Sequence, residues 1–181
     1  NDKAEKVYAD AFFTLCLEET PDTLKNTLGE LSALDGIFRE QPDFVKLLGT
    51  PTVTMDEKLG MIKDIIADGV SEYTGNLLCV LTERGRMGCF SGIVKNFRAL
   101  YNEHFRIAEI TVTASAPLSE SVREKIAAKM SEVTGKTVSI KEKVDPSIIG
   151  GVVIDYGSTR YDGSVRTRLN ELKKELGGVI A

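Results

Sequence analysis

The amino-acid sequence predicts an α+β protein of two domains, an N-terminal six-helix bundle at residues 1–105 and a small C-terminal α/β domain at residues 106–181. Apolar residues recur every three or four positions through the first hundred residues, which is the spacing of amphipathic helices. From Arg106 onwards β-branched residues alternate with a period of two, which is typical of strands. No Gly-, Pro- or Ser-rich linker separates the two patterns, so we expect the domains to reorient only to a limited extent.

The first three helices are each marked by a local signal. The first carries apolar residues at helical spacing, namely Val7, Tyr8, Ala11, Phe12, Leu15 and Cys16. Thr20 is predicted to cap the second helix, with Pro21 at its first position, where the missing N–H costs nothing. The apolar stripe of the second helix consists of Leu24, Leu28, Leu31, Leu34 and Phe38. Pro42 begins a short third helix that runs to Leu48.

Three further helices complete the predicted bundle. Thr54 and Glu57 have the spacing of a capping box and begin the fourth helix, which carries Leu59, Ile62, Ile65 and Ile66. Ser71 is predicted to cap the fifth helix, whose stripe is Tyr73, Leu77, Leu78, Val80 and Leu81. The sixth helix carries Phe90, Ile93, Val94, Phe97, Leu100 and Tyr101. Six helices joined by short turns are typical of a bundle.

The second domain is predicted to hold four strands and two helices. The strands are expected at residues 107–114, 137–144, 148–156 and 159–161. Ser119 begins a helix that ends at Gly135 and presents Val122, Ile126, Met130 and Val133 on one face. A final helix follows Asp162-Gly163-Ser164, and its apolar face consists of Val165, Leu169, Leu172 and Leu176.

Composition and charge exclude several classes of protein. Apolar residues make up 42% and charged residues 28% of the 181, which argues against disorder. The net charge of −4 argues against a nucleic-acid partner, which needs clustered Lys and Arg. The longest strictly apolar runs, such as LLCVL, are too short for direct membrane insertion. The chain opens on Asn1 without a secretory signal pattern, which indicates a processed or trimmed start.

The two predicted domains differ in charge. Residues 1–105 hold 11 basic and 17 acidic side chains, whereas residues 106–181 hold 12 and 10. A difference of this kind predicts different binding partners for the two domains.

No residue set in the sequence supports catalysis, a cofactor or a metal site. The one histidine, His104, lies at a predicted helix end, where an imidazolium suits the negative end of the helix dipole. The cysteines form no CxxC pair and are expected to be reduced, buried thiols: Cys16, Cys79 and Cys89. Gly135-Lys136-Thr137 resembles the end of a P-loop, but Met130 stands where that motif needs Gly. We therefore expect a binding or structural protein.

Residues 150–169, GGVVIDYGSTRYDGSVRTRL, have the composition of a phosphate site, yet most of them have a structural explanation. Gly157 supplies the positive φ of a tight turn. Asp162 or Ser164 caps the last helix, and Gly163 makes the sharp entry to it. The glycines and capping residues of this stretch therefore predict a fold element and not a catalytic loop.

Arg166 and Arg168 are the exceptions in this stretch, because a helix dipole disfavours cations in the first turn. The ordinary interpretation is a solvated pair, or a pair that is salt-bridged to a nearby carboxylate such as Asp155 or Asp162. The alternative is that the two arginines bind a partner.

Four stretches together resemble the δ subunit of bacterial and chloroplast F-type ATP synthases, a family homologous to the mitochondrial oligomycin-sensitivity-conferring protein. GGVVIDYGSTRYDGSVRTRL resembles the C-terminal signature of the family, and VYADAFFTLC resembles its first helix. GNLLCVLTERGRMGCFSGIVKNFRALYNE is similar to its fifth and sixth helices, and TVTASAPLSES to the strand and helix start that follow. Val7 and Met87 depart from the family pattern, where a basic residue and a leucine are common.

The resemblance implies a non-catalytic peripheral-stalk (stator) subunit of an F-type proton-translocating ATP synthase. Such proteins join the α/β catalytic head to the stalk and resist the torque of the rotor, without a cofactor. The resemblance implies that residues 1–105 bind the N-terminal helix of an α subunit beside the β subunit, and that residues 106–181 bind the C-terminal ends of the b subunits. Mitochondrial relatives tend to be basic, so the acidic pI of about 5.2 favours a bacterial source, with the chain on the cytoplasmic face of the plasma membrane; the chloroplast thylakoid is the alternative.

In this family the helix of the α subunit, here called the guest helix, lies between the first and fifth helices. That places the candidate binding residues at Tyr8, Ala11, Leu15, Asn76, Leu77, Val80 and Arg84. Phe12 lies on the same stripe but is assigned to the core, and the alternative is that the whole stripe is core. Because Leu77 and Leu78 are adjacent, as are Val80 and Leu81, one of each pair is expected to face the guest helix. Tyr8, Ala11, Leu77 and Val80 are the preferred guest-facing residues.

The candidate stalk-binding residues are Arg166, Arg168, Leu172 and Leu176. The apolar residues at the end of the chain extend past what a small sheet can cover, so they either meet a stalk helix or complete the core of their own domain. The alternative function is a helical adaptor or scaffold protein that binds amphipathic helices outside ATP synthase.

Overall fold

The structure is a computed structural model that describes residues 2–50, 52–67 and 69–169. The fold combines helices with a four-stranded sheet. It divides into two compact units, Asn1–Tyr101 and Asn102–Ala181. Within the described residues, no helix has both the length and the apolar character needed to cross a membrane.

Helices α1 to α6 precede the sheet, and local signals explain where several of them begin. Their bounds are Asp2–Leu17, Pro21–Glu40, Pro42–Gly49, Met55–Ala67, Glu72–Glu83 and Phe90–His104, with a one-turn 3₁₀ helix at Met87–Cys89. The Thr20 hydroxyl accepts a hydrogen bond from the Thr23 amide at 3.4 Å, which confirms the predicted cap of α2. The predicted capping box is confirmed, since the Thr54 amide donates to the Glu57 carboxylate at 3.0 Å and the Glu57 amide to the Thr54 hydroxyl at 3.4 Å.

The core of the first unit is built around Phe97, which is fully buried in α6. Its ring centroid lies 5.6 Å from that of Phe12 and 5.5 Å from that of Phe13, both in α1. Further fully buried residues come from α2 to α6: Leu24, Leu31, Leu48, Ile62, Leu78, Leu81 and Ile93. Each buried apolar side chain of this size contributes about 1.5–3 kcal/mol to the stability of the fold. This core therefore holds α1 and α5 in place.

The second unit is a four-stranded sheet with the order β2-β1-β3-β4. The strands are β1 (Ile107–Ala114), β2 (Thr137–Val144), β3 (Val152–Tyr156) and β4 (Thr159–Asp162). Helix α7 (Glu120–Thr134) connects β1 to the parallel strand β2, while β3 pairs antiparallel with β1 and with β4. Residues 165–169 begin a last helix. The prediction of a strand from residue 148 was wrong, because Pro146–Ile148 forms a 3₁₀ turn and Ile149 takes a φ of 68°.

Ile110, Val112 and Met130 form the buried center between the sheet and α7. Partly buried residues pack around them: Leu118, Ile126, Val138, Ile140, Val152, Ile154 and Tyr156. Of the four residues predicted on one face of α7, Met130 is buried and Ile126 packs against the center, whereas Val122 and Val133 are 39% and 62% exposed.

Glu142 in β2 ties the sheet to the start of α7. Its carboxylate accepts the Leu118 backbone N–H at 2.8 Å and the Arg123 guanidinium at 2.7 Å. The bond from the Leu118 amide, followed by that from Arg123, holds the pKa of Glu142 below its usual value. A depressed folded pKa means that this contribution to stability is complete above the unfolded pKa of about 4.3 and is lost as the pH falls through the folded pKa.

We therefore expect Glu142→Gln to lower the urea midpoint of the second unit at pH 7, and the deficit to shrink below about pH 4. Glu132→Gln is the matched control, because Glu132 is exposed on α7 and pairs with exposed Lys129 on the same helix, at 2.8 Å. Urea titrations at pH 7 and pH 3, followed by the ¹⁵N amide signals of β1 and β2, report on the second unit alone and give both values. An equal deficit at the two pH values would contradict the assigned role of the carboxylate.

Candidate functional site

An apolar groove of about 450 Å³ runs between α1 and α5. Its lining residues are Tyr8, Ala11, Phe12 and Leu15 from α1, and Tyr73, Asn76, Leu77 and Val80 from α5. Both sets follow the spacing i, i+3, i+4, i+7, so each helix presents one continuous stripe to the groove. This groove is called the α1–α5 groove below.

The floor and the rim of the α1–α5 groove differ in burial. Phe12 and Leu77 form the floor, at 6% and 7% exposed, whereas Leu15 and Val80 stand on the rim at 46% and 42%. The next residue in α5, Leu81, is fully buried. Val80 therefore faces outward while its neighbor faces the core.

The structure brings six of the seven candidate groove residues together: Tyr8, Ala11, Leu15, Asn76, Leu77 and Val80. Arg84 is not among the lining residues; it follows α5 as its C-cap and is exposed. Leu77 lines the groove and is also a buried core residue. The same side chain can therefore face both the core and the guest helix. The same holds for Phe12, which had been assigned to the core alone.

Arg86 lies at one end of the groove, and sequence reasoning did not select it. Its guanidinium donates to the Tyr8 hydroxyl at 3.2 Å and lies 5.7 Å from the center of the Tyr8 ring. The chain reverses at Gly85, which takes a φ of 62° that favours glycine, and this turn carries Arg86 back toward α1. Glu83, Gly85 and Arg86 lie in a stretch that resembles the family, and this was the available signal for Arg86. Its partner Tyr8 could not be inferred, because it lies 78 positions earlier in the sequence.

The other end of the groove carries a tyrosine and a carboxylate. The Tyr73 hydroxyl donates to Glu19 at 2.8 Å. This hydrogen bond is the main reason that the pKa of Tyr73 lies above its usual value, so the phenol stays protonated. The sequence predicts Tyr73 on the apolar stripe of α5 but not among the binding residues. Its i, i+3, i+4, i+7 spacing with Asn76, Leu77 and Val80 is the signal that would have included it.

Arg166 and Arg168 are exposed in the second unit. The Arg166 guanidinium donates to the Ser147 hydroxyl at 3.4 Å. Ser147 chiefly, and Arg166 to a smaller extent, hold the pKa of Asp145 below its usual value. Leu172 and Leu176, the other two candidate stalk-binding residues, lie outside the described residues.

The two carboxylates named as possible partners of these arginines, Asp155 and Asp162, form contacts with other residues. Asp155 lies 3.7 Å from Arg160. Asp162 accepts the Ser164 amide at 2.9 Å and the Thr167 hydroxyl at 2.8 Å, and these bonds, led by the one from Ser164, lower its pKa. The contacts described for Asp155 and Asp162 thus go to Arg160, Ser164 and Thr167, and both interpretations of Arg166 and Arg168, a solvated or salt-bridged pair and a partner-binding pair, stay predictions.

Ionisable groups that support catalysis or metal binding are not clustered in the part of the chain that the structure describes. No three His, Cys, Asp or Glu side chains there are placed to hold a metal ion. Cys16 and Cys89 are buried as predicted, while Cys79 is half-buried. Burial raises the pKa of the thiols of Cys16 and Cys79, which keeps both protonated and weakly nucleophilic at neutral pH.

Known proteins resemble this chain along nearly its whole length. Residues 4–176 match the family model for the ATP synthase delta (OSCP) subunit. The chain is 34% identical to the chloroplast ATP synthase subunit delta of Emiliania huxleyi, with 95% of each chain covered. It is also 34% identical to the ATP synthase subunit delta of Anaeromyxobacter sp. (strain Fw109-5), over 93% of this chain and 94% of that one.

More distant relatives extend the same pattern. The mitochondrial ATP synthase subunit O of Ipomoea batatas is 32% identical over 93% of this chain and 70% of its own. The fold matches a chain in the cryo-EM structure of the Toxoplasma gondii mitochondrial ATP synthase hexamer with a TM-score of 0.71, at 22% identity and with 95% and 96% of the two chains covered.

Proposed function

Because the chain belongs to the ATP synthase delta (OSCP) subunit family, we propose that its α1–α5 groove binds the N-terminal helix of an ATP synthase α subunit. The chain is a non-catalytic, peripheral-stalk subunit of an F-type ATP synthase, a structural part of the complex. Its task is to link the catalytic head to the stalk and to resist the torque of the rotor. A helical adaptor outside ATP synthase is not favoured by this membership.

We assign the two attachment roles to the two parts of the chain. Residues 1–105 form a six-helix bundle that binds the α subunit and lies beside a β subunit at the head. Residues 106–181 bind the C-terminal ends of the b subunits, with Arg166, Arg168, Leu172 and Leu176 as the candidate contacts. The acidic pI of about 5.2 supports a peripheral location on the cytoplasmic face of a bacterial plasma membrane.

The observation that carries the proposal is the shape of the α1–α5 groove. Two parallel apolar stripes enclose a trough with a buried floor, and the rim residues Leu15 and Val80 leave nearly half of their surface in water. An amphipathic helix has one apolar stripe of matching length, and laying it into such a trough removes both rims from water. Each Å² of apolar surface removed contributes about 25 cal/mol, which offsets part of the entropy cost of association.

The direct test is isothermal titration of the full chain with a peptide of about the first two dozen residues of the α subunit from the same cell. We expect saturable one-to-one binding, and no binding of a peptide with the same residues in scrambled order, because scrambling destroys the apolar stripe. Co-purification should also recover the α, β and b subunits with the chain. A silent titration would refute binding of the α-subunit helix in the groove, and the absence of those subunits would refute the attachment roles.

A further inference from the structure

The two sides of the α1–α5 groove are nearly equivalent in shape. The helices run antiparallel, because the start of α1 meets the turn after α5 through Tyr8 and Arg86, and the start of α5 meets the turn after α1 through Tyr73 and Glu19. Each side presents the same spacing in the same order: a tyrosine, a small or short residue, a large floor residue and an aliphatic rim residue. Rotation by half a turn about the middle of the groove therefore exchanges Tyr8 with Tyr73 and Leu15 with Val80.

The charges at the two ends break this symmetry. Glu19, which follows the end of α1, accepts the Tyr73 hydroxyl, whereas Arg86, which follows the end of α5, donates to the Tyr8 hydroxyl. The Glu72 carboxylate also helps to raise the pKa of Tyr73, and Glu18 precedes Glu19 in the chain, so the Tyr73 end of the groove is acidic.

The opposite end is basic. Arg86 lies over the Tyr8 ring, and Arg84, two positions earlier, is the exposed C-cap of α5. The acid next to Arg84, Glu83, lies toward Cys79, since burial and then the Glu83 carboxylate raise the pKa of that thiol. The first turns of α1 add no net charge there, because Asp2 and Glu5 are balanced by lysines at positions 3 and 6.

We propose that these end charges, and not the shape of the groove, fix the direction of the guest helix. Its acidic end lies against Arg84 and Arg86, and its basic end lies against Glu18 and Glu19. The inference rests on the proposed function, which supplies the guest helix. A nearly two-fold apolar trough accepts a helical stripe in either direction with similar burial, whereas reversing a charged helix turns every end contact from attraction to repulsion.

The guest helix is consequently expected to run parallel to α1. Stable amphipathic helices carry acidic residues in the first turn and basic residues in the last, which complements their own dipole. Such a helix places its N-terminus at the arginine end of the groove. The dipole of the guest helix alone favours the opposite direction, because its positive N-terminal end would lie at the acidic end of the groove. That dipole amounts to only about half a charge at each end, whereas several side chains carry whole charges.

The test uses two variants of the α-subunit peptide with the same apolar stripe. One has Glu at the exposed positions of its first turn and Lys at those of its last turn, and the other has the reverse. Each carries a nitroxide at its N-terminus, and the ¹⁵N-labelled full chain reports which amides are broadened. We expect the first peptide to broaden residues 84–86 and the second to broaden residues 72–76. Broadening of the same end by both peptides would show that shape fixes the direction.

Inversion of the groove charges gives an independent readout. A chain with Glu18→Lys, Glu19→Lys, Arg84→Glu and Arg86→Glu should bind the first peptide in the reversed direction. Chains with only one end inverted should bind it about tenfold more weakly at low salt and recover most of that loss in 0.5 M NaCl, since exposed charges are screened. Lys46→Glu with Lys95→Glu, two exposed sites on α3 and α6, is the matched control.

The outcomes separate the two proposals. If the native α peptide does not bind the full chain, the proposed function fails and the inference fails with it. If the peptide binds but its direction ignores the end charges of either partner, only the inference is overturned.

Discussion

Aspartate at both Leu15 and Val80 is expected to weaken binding of the α-subunit peptide by more than tenfold while the chain stays folded. Both side chains stand on the rim of the α1–α5 groove with nearly half of their surface in water, so a carboxylate at either position remains hydrated in the free protein. In the complex each carboxylate has to be buried without a partner, which costs several kcal/mol. Every 1.4 kcal/mol lost is a tenfold loss in affinity.

The structure also changes which residues should carry this test. The sequence points to Leu77 with Val80, yet Leu77 is a floor residue and only 7% exposed. A carboxylate at Leu77 would destabilise the fold itself, and weaker binding would then have two explanations. Leu15 avoids this problem because its exposure is close to that of Val80.

A matched control for the rim variants lies in the second unit. Val122 has the same side chain as Val80 and nearly the same exposure, but it lies on α7. We expect Val122→Asp to leave the dissociation constant unchanged in the same calorimetric titration, with circular dichroism confirming that all variants are folded. Equal dissociation constants for the rim variant and the wild-type chain would mean that the guest helix does not occupy this groove.

The sequence predicts those features of the fold that depend on residues close together in the chain. The capping box of Thr54 and Glu57 and the cap at Thr20 need only three positions of spacing, and both are present. Strand β1 follows from alternation over residues 107–114, and Gly135 ends α7 in the left-handed conformation, with a φ of 66°. These interactions form in any context that allows a helix or a strand, so tertiary packing has little to change.

Features that depend on distant parts of the chain could not be predicted in this way. Arg86 becomes part of the groove only because α1 and α5 are antiparallel, and the same packing brings Glu19 to Tyr73 across 54 positions. The apolar stripes showed that α1 and α5 have a buried face, but not how deep each residue of the stripe lies. Leu77, like Phe12, lies on the floor, whereas Leu15, like Val80, stands on the rim of an equally apolar stripe.

The predicted start of β3 was wrong for a different reason, which is local to the chain but has no strong signal in the sequence. Ile149 takes a positive φ, which a β-branched residue rarely adopts, so nothing in its type marks the turn. The turn brings Gly150 and Gly151 against the entry of the last helix. There the Gly163 amide donates to the Val152 carbonyl at 3.0 Å, and the Val165 amide to the Gly150 carbonyl at 2.9 Å.

Gly151→Ala is expected to destabilise the second unit by more than about 2 kcal/mol. Gly151 has a φ of 76°, and an L-residue in the left-handed region costs about 1–2 kcal/mol. An added Cβ would also overlap the Gly163 carbonyl oxygen and come within 3.1 Å of the Ser164 Cα. Both are backbone atoms tied down by the two hydrogen bonds, so neither moves aside without breaking the contact between β3 and the last helix.

Gly157→Ala separates the two contributions, because Gly157 has a similar φ of 58° but open space where a Cβ would be. It should lower stability only by the conformational cost of about 1–2 kcal/mol. Hydrogen exchange of the β1 and β3 amides measures the second unit alone, which a global unfolding curve of a two-unit chain does not. Equal protection in the two variants would show that close backbone packing is not the reason for glycine at position 151. A larger loss for Gly151→Ala would mean that the Gly-Gly pair of the family signature serves to let two backbones touch.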